Sequence, residues 1–182
     1  MLAALFAVLL SVFSLITIPL TPVPVTLQVF MIFLVVNLLG SYYGTLSCLI
    51  YLLLGAIGIP VFAGATGGIS VLISPLGDFL FSFPLSVLLG GLISGKVSSS
   101  EKLDLVRVVV ASAVSLLLIY IVGPLWLRQV LGVSSDKAYL LAAIPFIPFD
   151  VAKGAVAIPI ALYFRKIRSD LPVNWGRRIT RE

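Results

Sequence analysis

No charged side chain occurs in this chain before Asp78. Over all 182 residues, 60% are hydrophobic and 10% are charged, whereas soluble proteins carry about 25% charged residues. So long an uncharged stretch cannot form the hydrated surface of a soluble domain. The sequence therefore predicts an integral membrane protein, with a length that suits one compact domain.

Several residue types needed for common chemistries are missing. The chain has no histidine and one cysteine, Cys48, so it can form no disulfide framework and lacks the usual metal ligand and general base. It has no serine–histidine pair, no paired carboxylates close in sequence and no phosphate-binding loop motif. We therefore expect no metal, no cofactor and no enzyme active site, and the chain cannot itself supply energy from ATP.

Six apolar segments approach the roughly 20 residues that a membrane-spanning helix needs. The proline-rich "PLTPVPVT" (Pro19 to Thr26) separates the first two segments, and "LGSYYG" (Leu39 to Gly44) predicts a tight, uncharged turn after the second. The apolar N-terminus lacks a basic leading region, which favours a retained first span over a cleaved signal. The predicted spans are 2–18, 25–40, 42–58, 79–95, 105–123 and 138–164.

Basic residues near the ends of the spans predict the orientation. The loop 95–104 with Arg107, and the chain after Phe164, lie on one side of a six-span protein, and the opposite side carries only Arg128 and Lys137. The positive-inside rule then places both termini in the cytoplasm. The predicted organisation is a six-helix transmembrane domain, 1–165, followed by a basic cytoplasmic tail, 166–182. A basic tail beside a membrane helix indicates contact with anionic lipids rather than nucleic acid.

The segment 59–78, "IPVFAGATGGISVLISPLGD", is too rich in glycine and proline for an ordinary helix and too apolar for a solvated loop. Non-helical backbone at membrane depth persists only when it is buried in protein or lines a cavity. We therefore expect this segment to cap the outer ends of the helices, between the third and fourth spans, above an outward-facing pocket.

A charged pair, Asp150 and Lys153, lies inside the apolar sixth segment. Residues three apart share a helix face, and each charge at a helix centre costs about 2.5–3.5 kcal/mol. The two groups either neutralise each other and hold helices together, or serve a ligand. Two helix starts are possible: near Lys137, with kinks at both prolines of "PFIP", or near Pro148, with Asp150 in the first turn.

A pocket with apolar walls and a few charged groups at one end suits a small amphipathic molecule. It does not suit an ion channel, which needs polar groups along its whole path. Asp78, at the end of the segment 59–78, is either a helix cap for the fourth span or a ligand-binding residue.

Three motifs together resemble the BioY family, the biotin-binding S-components of energy-coupling-factor (ECF) vitamin transporters. They are "PVPVTLQ" (Pro22 to Gln28), "YLLLGAIGIPVFAGATGG" (Tyr51 to Gly68) and "PFIPFDVAKG" (Pro145 to Gly154), and the resemblance covers most of residues 1–165. It implies an all-α bundle of six transmembrane helices with biotin held on the outer side, beneath the loop between helices 3 and 4.

The resemblance also implies the residues of the site. The aspartate and lysine of the last helix contact the ureido ring of biotin in that family, and they match Asp150 and Lys153. The aliphatic chain of biotin would lie among apolar residues of the third helix and the cap. Where the family commonly has G-P-T-G-G-Y after the cap, this chain has "SPLGDF", in which Asp78 could supply a polar cap residue. The other motif residues assigned to the site are Gln28, Tyr51, Phe62, Gly64, Gly67 and Gly68.

The resemblance further implies partners: a membrane coupling subunit and ATPase subunits. Ala3 and Ala7 match a small-residue spacing that lets the coupling subunit pack closely on the first helix in that family, although such spacing is common in membrane helices. Three alternatives remain: a membrane enzyme acting on a lipid or small amphiphile, a solitary secondary transporter of a vitamin, and a structural protein whose charged pair only joins helices.

Overall fold

The structure, a computed structural model, describes residues 1–18, 24–75, 77–98 and 100–167, with the side chain of Asp78 also outside the described part. This part is mostly helical. Its helices are α1 Leu2–Leu15, α2 Gln28–Ala56, α3 Ile69–Leu72, α4 Gly77–Ser94, α5 Glu101–Leu131, α6 Ser135–Ala142 and α7 Ile147–Ile167. Of these, α5 and α7 are long and apolar enough to cross a membrane, α2 reaches that length only when its two arms on either side of Gly40 are counted together, and α1 and Phe79–Ser94 are shorter apolar helices.

A small β-ribbon follows α1, which the prediction of an all-α fold did not include. Strands β1 Thr17–Ile18 and β2 Val25–Thr26 pair antiparallel, with Thr17 opposite Thr26. The residues of the two strands satisfy backbone groups by pairing with each other. The ribbon leads directly into α2.

α2 is a helical hairpin and not one straight helix. Gly40 has φ +70° and ψ −164°, a conformation that in practice only glycine adopts. The Gln28 Nε2 lies 2.5 Å from the Tyr51 hydroxyl, whereas a continuous helix would separate these two positions by about 34 Å. The chain therefore turns back at Gly40, which confirms the tight turn predicted from "LGSYYG". Gly91 of α4 packs against this turn so closely that a Cβ there would overlap the Ser41 backbone.

The predicted sixth span, 138–164, is wrong as a single helix. α6 ends at Ala142, and α7 begins at Ile147. Pro145 lies in the turn between them and Pro148 in the first turn of α7, where a missing N–H removes no helical hydrogen bond. Of the two predicted helix starts, the one near Pro148 is therefore correct.

The segment 59–75, which joins α2 to α4, packs against other parts of the chain. Phe62 and Thr66 exchange backbone hydrogen bonds in a small turn. The Ser14 hydroxyl of α1 donates to the Val61 carbonyl, and the Trp126 indole of α5 donates to the Ser74 carbonyl at 3.2 Å. The segment is thus held at both ends.

A buried ionic network holds the far end of the bundle. The Arg165 guanidinium on α7 is fully buried and bonds both carboxylate oxygens of Asp104 on α5, at 2.8 and 3.0 Å. It also donates to the Ser94 hydroxyl of α4 at 2.9 Å and to the Asn37 carbonyl of α2 at 2.8 Å. The 95–104 loop and the start of the predicted basic tail thus meet at one end of the bundle. The predicted tail begins inside α7, and its residues 168–182 lie outside the described part.

Candidate ligand-binding site

A small pocket lies where the start of α2, the segment 59–75, the first half of α4 and the start of α7 meet. It is partly open, and its volume is about 30 Å³, room for about two water molecules, whereas small-molecule sites usually measure about 300–1,000 Å³. An organic ligand therefore requires at least one wall to move. The described lining residues are Pro24, Thr26, Gln28, Val29, Phe62, Ala63, Phe79, Leu80, Phe83, Phe146, Asp150 and Lys153.

Asp150 is the charged centre of this pocket. Its side chain is 2% exposed, and that of Lys153 is 9% exposed. The Lys153 ammonium donates to Asp150 Oδ1 at 2.6 Å, and the Tyr120 hydroxyl of α5 donates to Asp150 Oδ2 at 2.7 Å. The carboxylate is thus held by one cation from its own helix and one hydroxyl from a neighbouring helix.

The start of α7 explains why a carboxylate is tolerated at this position. Asp150 lies in the first turn of the helix, where the partial positive charge of the helix N-terminus favours an anion. Its backbone N–H bonds the Phe146 carbonyl at 2.9 Å. Pro148 and the break after α6 therefore place the helix start, and with it the carboxylate, at the pocket.

The remaining hydrogen-bonding capacity of the pair indicates what it can bind. A carboxylate has about four acceptor positions and an ammonium three donors, and the bonds among described residues use two of the former and one of the latter. The pair therefore suits a neutral group that has N–H donors beside a carbonyl, such as an amide or a urea. Within the described residues, no group of three Cys, Asp or Glu side chains converges as metal ligands.

Gln28 forms the polar edge of the pocket on the α2 side. Its Oε1 accepts from the Thr26 hydroxyl at 2.9 Å, and its Nε2 bonds the Tyr51 hydroxyl. Tyr51 is fully buried on the second arm of the α2 hairpin. The two arms are thus joined by a polar chain beside the pocket.

Phe62 is the main contribution of the segment 59–75 to the pocket. Its ring packs edge-on against Tyr51, with centroids 5.4 Å apart, and lies where a Cβ on Gly55 would be. The Gly68 N–H donates to the Gly55 carbonyl at 2.7 Å. Glycine at position 55 is therefore required for this aromatic wall to approach α2.

Four of the residues assigned from the sequence line the pocket, namely Gln28, Phe62, Asp150 and Lys153. Tyr51 lies directly behind Gln28 and Phe62. The structure places Gly64, Gly67 and Gly68 elsewhere in the segment 59–75, outside the described lining. Asp78 lies in the first turn of α4, and its side chain is outside the described part.

Ala3 and Ala7, which the resemblance assigns to a partner surface, both lie on α1. They are 5% and 0% exposed, on the face of α1 turned into the core of the chain. Their small side chains let α1 approach its own neighbours, so the small-residue spacing serves internal packing. The outer face of α1 carries Leu5, Val8 and Val12 instead, each about half exposed.

Sequence reasoning missed several residues of the site. Tyr120 has no sequence signal, because it lies far from Asp150 along the chain, in an ordinary apolar stretch. Thr26 lies within one of the quoted motifs, and its position beside Gln28 was the available signal. Phe146 and Phe79 likewise lie within quoted stretches, "PFIPFDVAKG" and "SPLGDF". Phe83 had no signal, since one face of an apolar helix cannot be distinguished from another without knowing what packs against it.

The chain is similar in sequence to a known protein family and to named proteins of that family. The sequence profile of the BioY family matches residues 1–170. The chain is 42% identical over 160 residues to a protein of Pyrococcus horikoshii named "Probable biotin transporter BioY", covering 88% of this chain and 91% of that one. It is 42% identical over 166 residues to "Biotin transporter BioY" of Thermotoga maritima, covering 91% and 94%.

A solved structure is also similar. It is the S-component for biotin from an ECF-type ABC transporter, with a TM-score of 0.78, 27% identity and coverage of 91% of this chain and 89% of that one. Together with the apolar helices, these matches make the protein a multi-pass membrane protein of a transporter family. The chain belongs to the BioY family.

Proposed function

We propose that this chain is the biotin-binding membrane subunit, or S-component, of an ECF-type uptake transporter. The observation that carries the proposal is the buried Asp150–Lys153 pair at one end of an otherwise apolar pocket. The names of the relatives, and the similar structure of a biotin S-component, point to the same ligand. Since those relatives are named as transporters, the alternative of a membrane enzyme is set aside, and the protein is not an enzyme.

The chemistry of biotin matches the pocket. Its cyclic urea has N–H donors beside a carbonyl, so the N–H groups would donate to Asp150 and the carbonyl would accept from Lys153. Its sulfur-containing ring and aliphatic chain would lie among Phe62 and the apolar walls of α4. Gln28 would supply a further polar contact, with Tyr51 holding it in place.

The segment 59–75 would act as the cap of the site. It contributes Phe62 and Ala63 to the wall, and a pocket of about 30 Å³ must enlarge before biotin fits. Glycines at 64, 67 and 68 would allow this segment to open, because glycine adopts many backbone conformations. Asp78, at the end of the connection, would contribute a polar contact from the α4 side.

The proposed topology has six membrane-spanning helices, because the two arms of the α2 hairpin would cross separately from α1, α4, α5 and α7. The basic residues near Arg165 favour a cytoplasmic position for that end, which would put the pocket on the outer side and both termini in the cytoplasm. Import would then require a membrane coupling subunit and ATPase subunits, with anionic lipids around the basic end.

Two measurements test the function. Small molecules that co-purify with the detergent-solubilised protein, after growth with biotin, should include biotin by mass spectrometry, and Asp150→Leu with Lys153→Leu should lose it. In liposomes containing ATP, the chain alone should bind biotin without accumulating it, and accumulation should require the coupling and ATPase subunits. Recovery of another vitamin would overturn the ligand, and uptake by the chain alone, abolished by an ionophore, would make it a secondary transporter.

A further inference from the structure

The hydroxyl of Tyr120 lies 2.7 Å from Asp150 Oδ2, yet Tyr120 is not among the described lining residues of the pocket. It belongs to α5, whereas Asp150 and Lys153 belong to α7. Tyr120 therefore contacts Asp150 from outside the described lining of the pocket. Its helix, α5, contributes no described residue to that lining. In this structure Tyr120 thus acts on the pocket through Asp150.

We propose that Tyr120 is a positioning residue that sets the ligand specificity of the site by fixing the orientation of the Asp150 carboxylate. The inference rests on the proposed function, since it concerns the same ligand. With Lys153 on Oδ1 and Tyr120 on Oδ2, both oxygens are held by donors from different helices. The carboxylate cannot rotate without breaking one of these bonds, so its remaining acceptor positions keep one direction.

The local structure of α5 supports this role. Pro124 lies one turn after Tyr120 and has no N–H with which to bond the Tyr120 carbonyl, so the helix is weakened at this turn. One residue earlier, Gly123 lies against the ring of Phe79, and a Cβ there would be 3.4 Å from that ring. This turn of α5 thus places the Tyr120 hydroxyl against Asp150. It also places the backbone of Gly123 against Phe79, a residue of the pocket wall.

A fixed Asp150 carboxylate selects ligands by the hydrogen-bond donors that their head groups present. A carboxylate that already accepts two hydrogen bonds remains an acceptor only, so it favours head groups that present N–H. A ligand that presents an oxygen or a methyl group to Asp150 would leave the buried charge without a further partner, which is strongly unfavourable. The site should therefore select cyclic ureas with free N–H groups and reject N-alkylated ones.

The test measures binding of biotin to the purified full chain in detergent, for the wild type and for Tyr120→Phe, Asp150→Asn and their double variant. Tyr163→Phe is the matched control, because that side chain is 63% exposed on the outer face of α7. Loss of a hydrogen bond to a charged group should weaken biotin binding by about tenfold to a hundredfold in Tyr120→Phe. In the Asp150→Asn background the same substitution should change affinity less than about threefold, because the charge it positions is gone.

A biotin analogue methylated on its ureido nitrogens supplies the second readout, by competition. Tyr120→Phe should reduce the preference for biotin over this analogue, whereas a merely structural tyrosine would weaken both alike. Equal losses in both backgrounds, or an unchanged preference, would overturn the inference. If Tyr120→Phe alone does not fold, the biotin affinity of Asp150→Asn is compared with that of the double variant. A difference of less than about threefold supports the inference, and a larger loss overturns it. Failure of the wild type to bind biotin would instead reject the proposed function.

Discussion

Arg165 and Asp104 form a bidentate ion pair, with Arg165 Nε 3.0 Å from Oδ2 and Nη2 2.8 Å from Oδ1. Arg165 lies about 22 Å from Asp150 along the axis of α7. The helix therefore carries two buried charged groups near its opposite ends. The one at Arg165 has its hydrogen bonds supplied by protein groups from α2, α4 and α5, whereas the one at Asp150 faces a pocket. This difference indicates a structural role for the first pair.

Arg165→Ala should destabilise the protein by about 3–5 kcal/mol, because it leaves Asp104 buried without its partner. Thermal unfolding in detergent measures this, and protein that remains folded should still bind biotin. Lys166→Ala is the matched control: its ion pair with Glu101 is exposed, 76% and 82% at the two side chains, so no measurable change is expected. Equal stability of both variants would contradict the structural role.

Asp150→Asn should weaken biotin binding by about 1–3 kcal/mol, since the neutral amide leaves Lys153 without a charged partner and loses acceptors for the ligand. The variant should still enter the membrane, because removing a charge favours insertion. Calorimetry provides the measurement. Asp136→Asn, an exposed position in α6, is the control, and unchanged binding in Asp150→Asn would remove Asp150 from the site.

Residues 59–75 should exchange their amide hydrogens more slowly when biotin is bound. The pocket must enlarge to admit a ligand, and this segment supplies two of its wall residues, Phe62 and Ala63. A lid that opens to admit its ligand is protected when it closes over it. Residues 101–110, at the far end of α5, provide the internal control. Identical exchange of the segment in both states would mean that it is fixed and that biotin enters elsewhere.

Gly40→Ala should destabilise the protein by about 3 kcal/mol, because its φ of +70° with ψ −164° lies outside the regions open to side-chain-bearing residues. Gly132→Ala is the control. Gly132 has a left-handed conformation and nothing within 4 Å of an added Cβ, so a loss of about 1 kcal/mol is expected. Unfolding curves of the two variants give the comparison, and a smaller effect at Gly40 would argue against the hairpin.

Ala7→Leu should lower stability by about 1–3 kcal/mol, since Ala7 is fully buried and a larger side chain overpacks the contact between α1 and the core. Val8→Leu, at a position 53% exposed, should leave stability unchanged. Melting temperatures in detergent test both. If Ala7→Leu were as stable as the wild type but lost transport with its partner subunits, the assignment of Ala7 to a partner surface would be supported.

The sequence alone determined the class of the protein and singled out its charged pair. The uncharged stretch that precedes Asp78 can only be membrane sequence, because insertion penalties make even one charge costly there. For the same reason Asp150 and Lys153 could be singled out from residue types alone, and a tight turn could be placed at "LGSYYG". These inferences rest on local free energies, which depend on residue type more than on neighbours.

The tertiary structure decided which apolar residues face which. Ala3 and Ala7 fit a partner surface by spacing alone, and only the packing of α1 shows that they are buried in their own chain. Tyr120 became part of the site because α5 places it beside a carboxylate that belongs to a different, distant helix. In a membrane protein nearly every helix face is apolar, so hydrophobic periodicity carries little information about burial. Which residues are buried, and which side chains meet, is decided by long-range packing, which no single segment encodes.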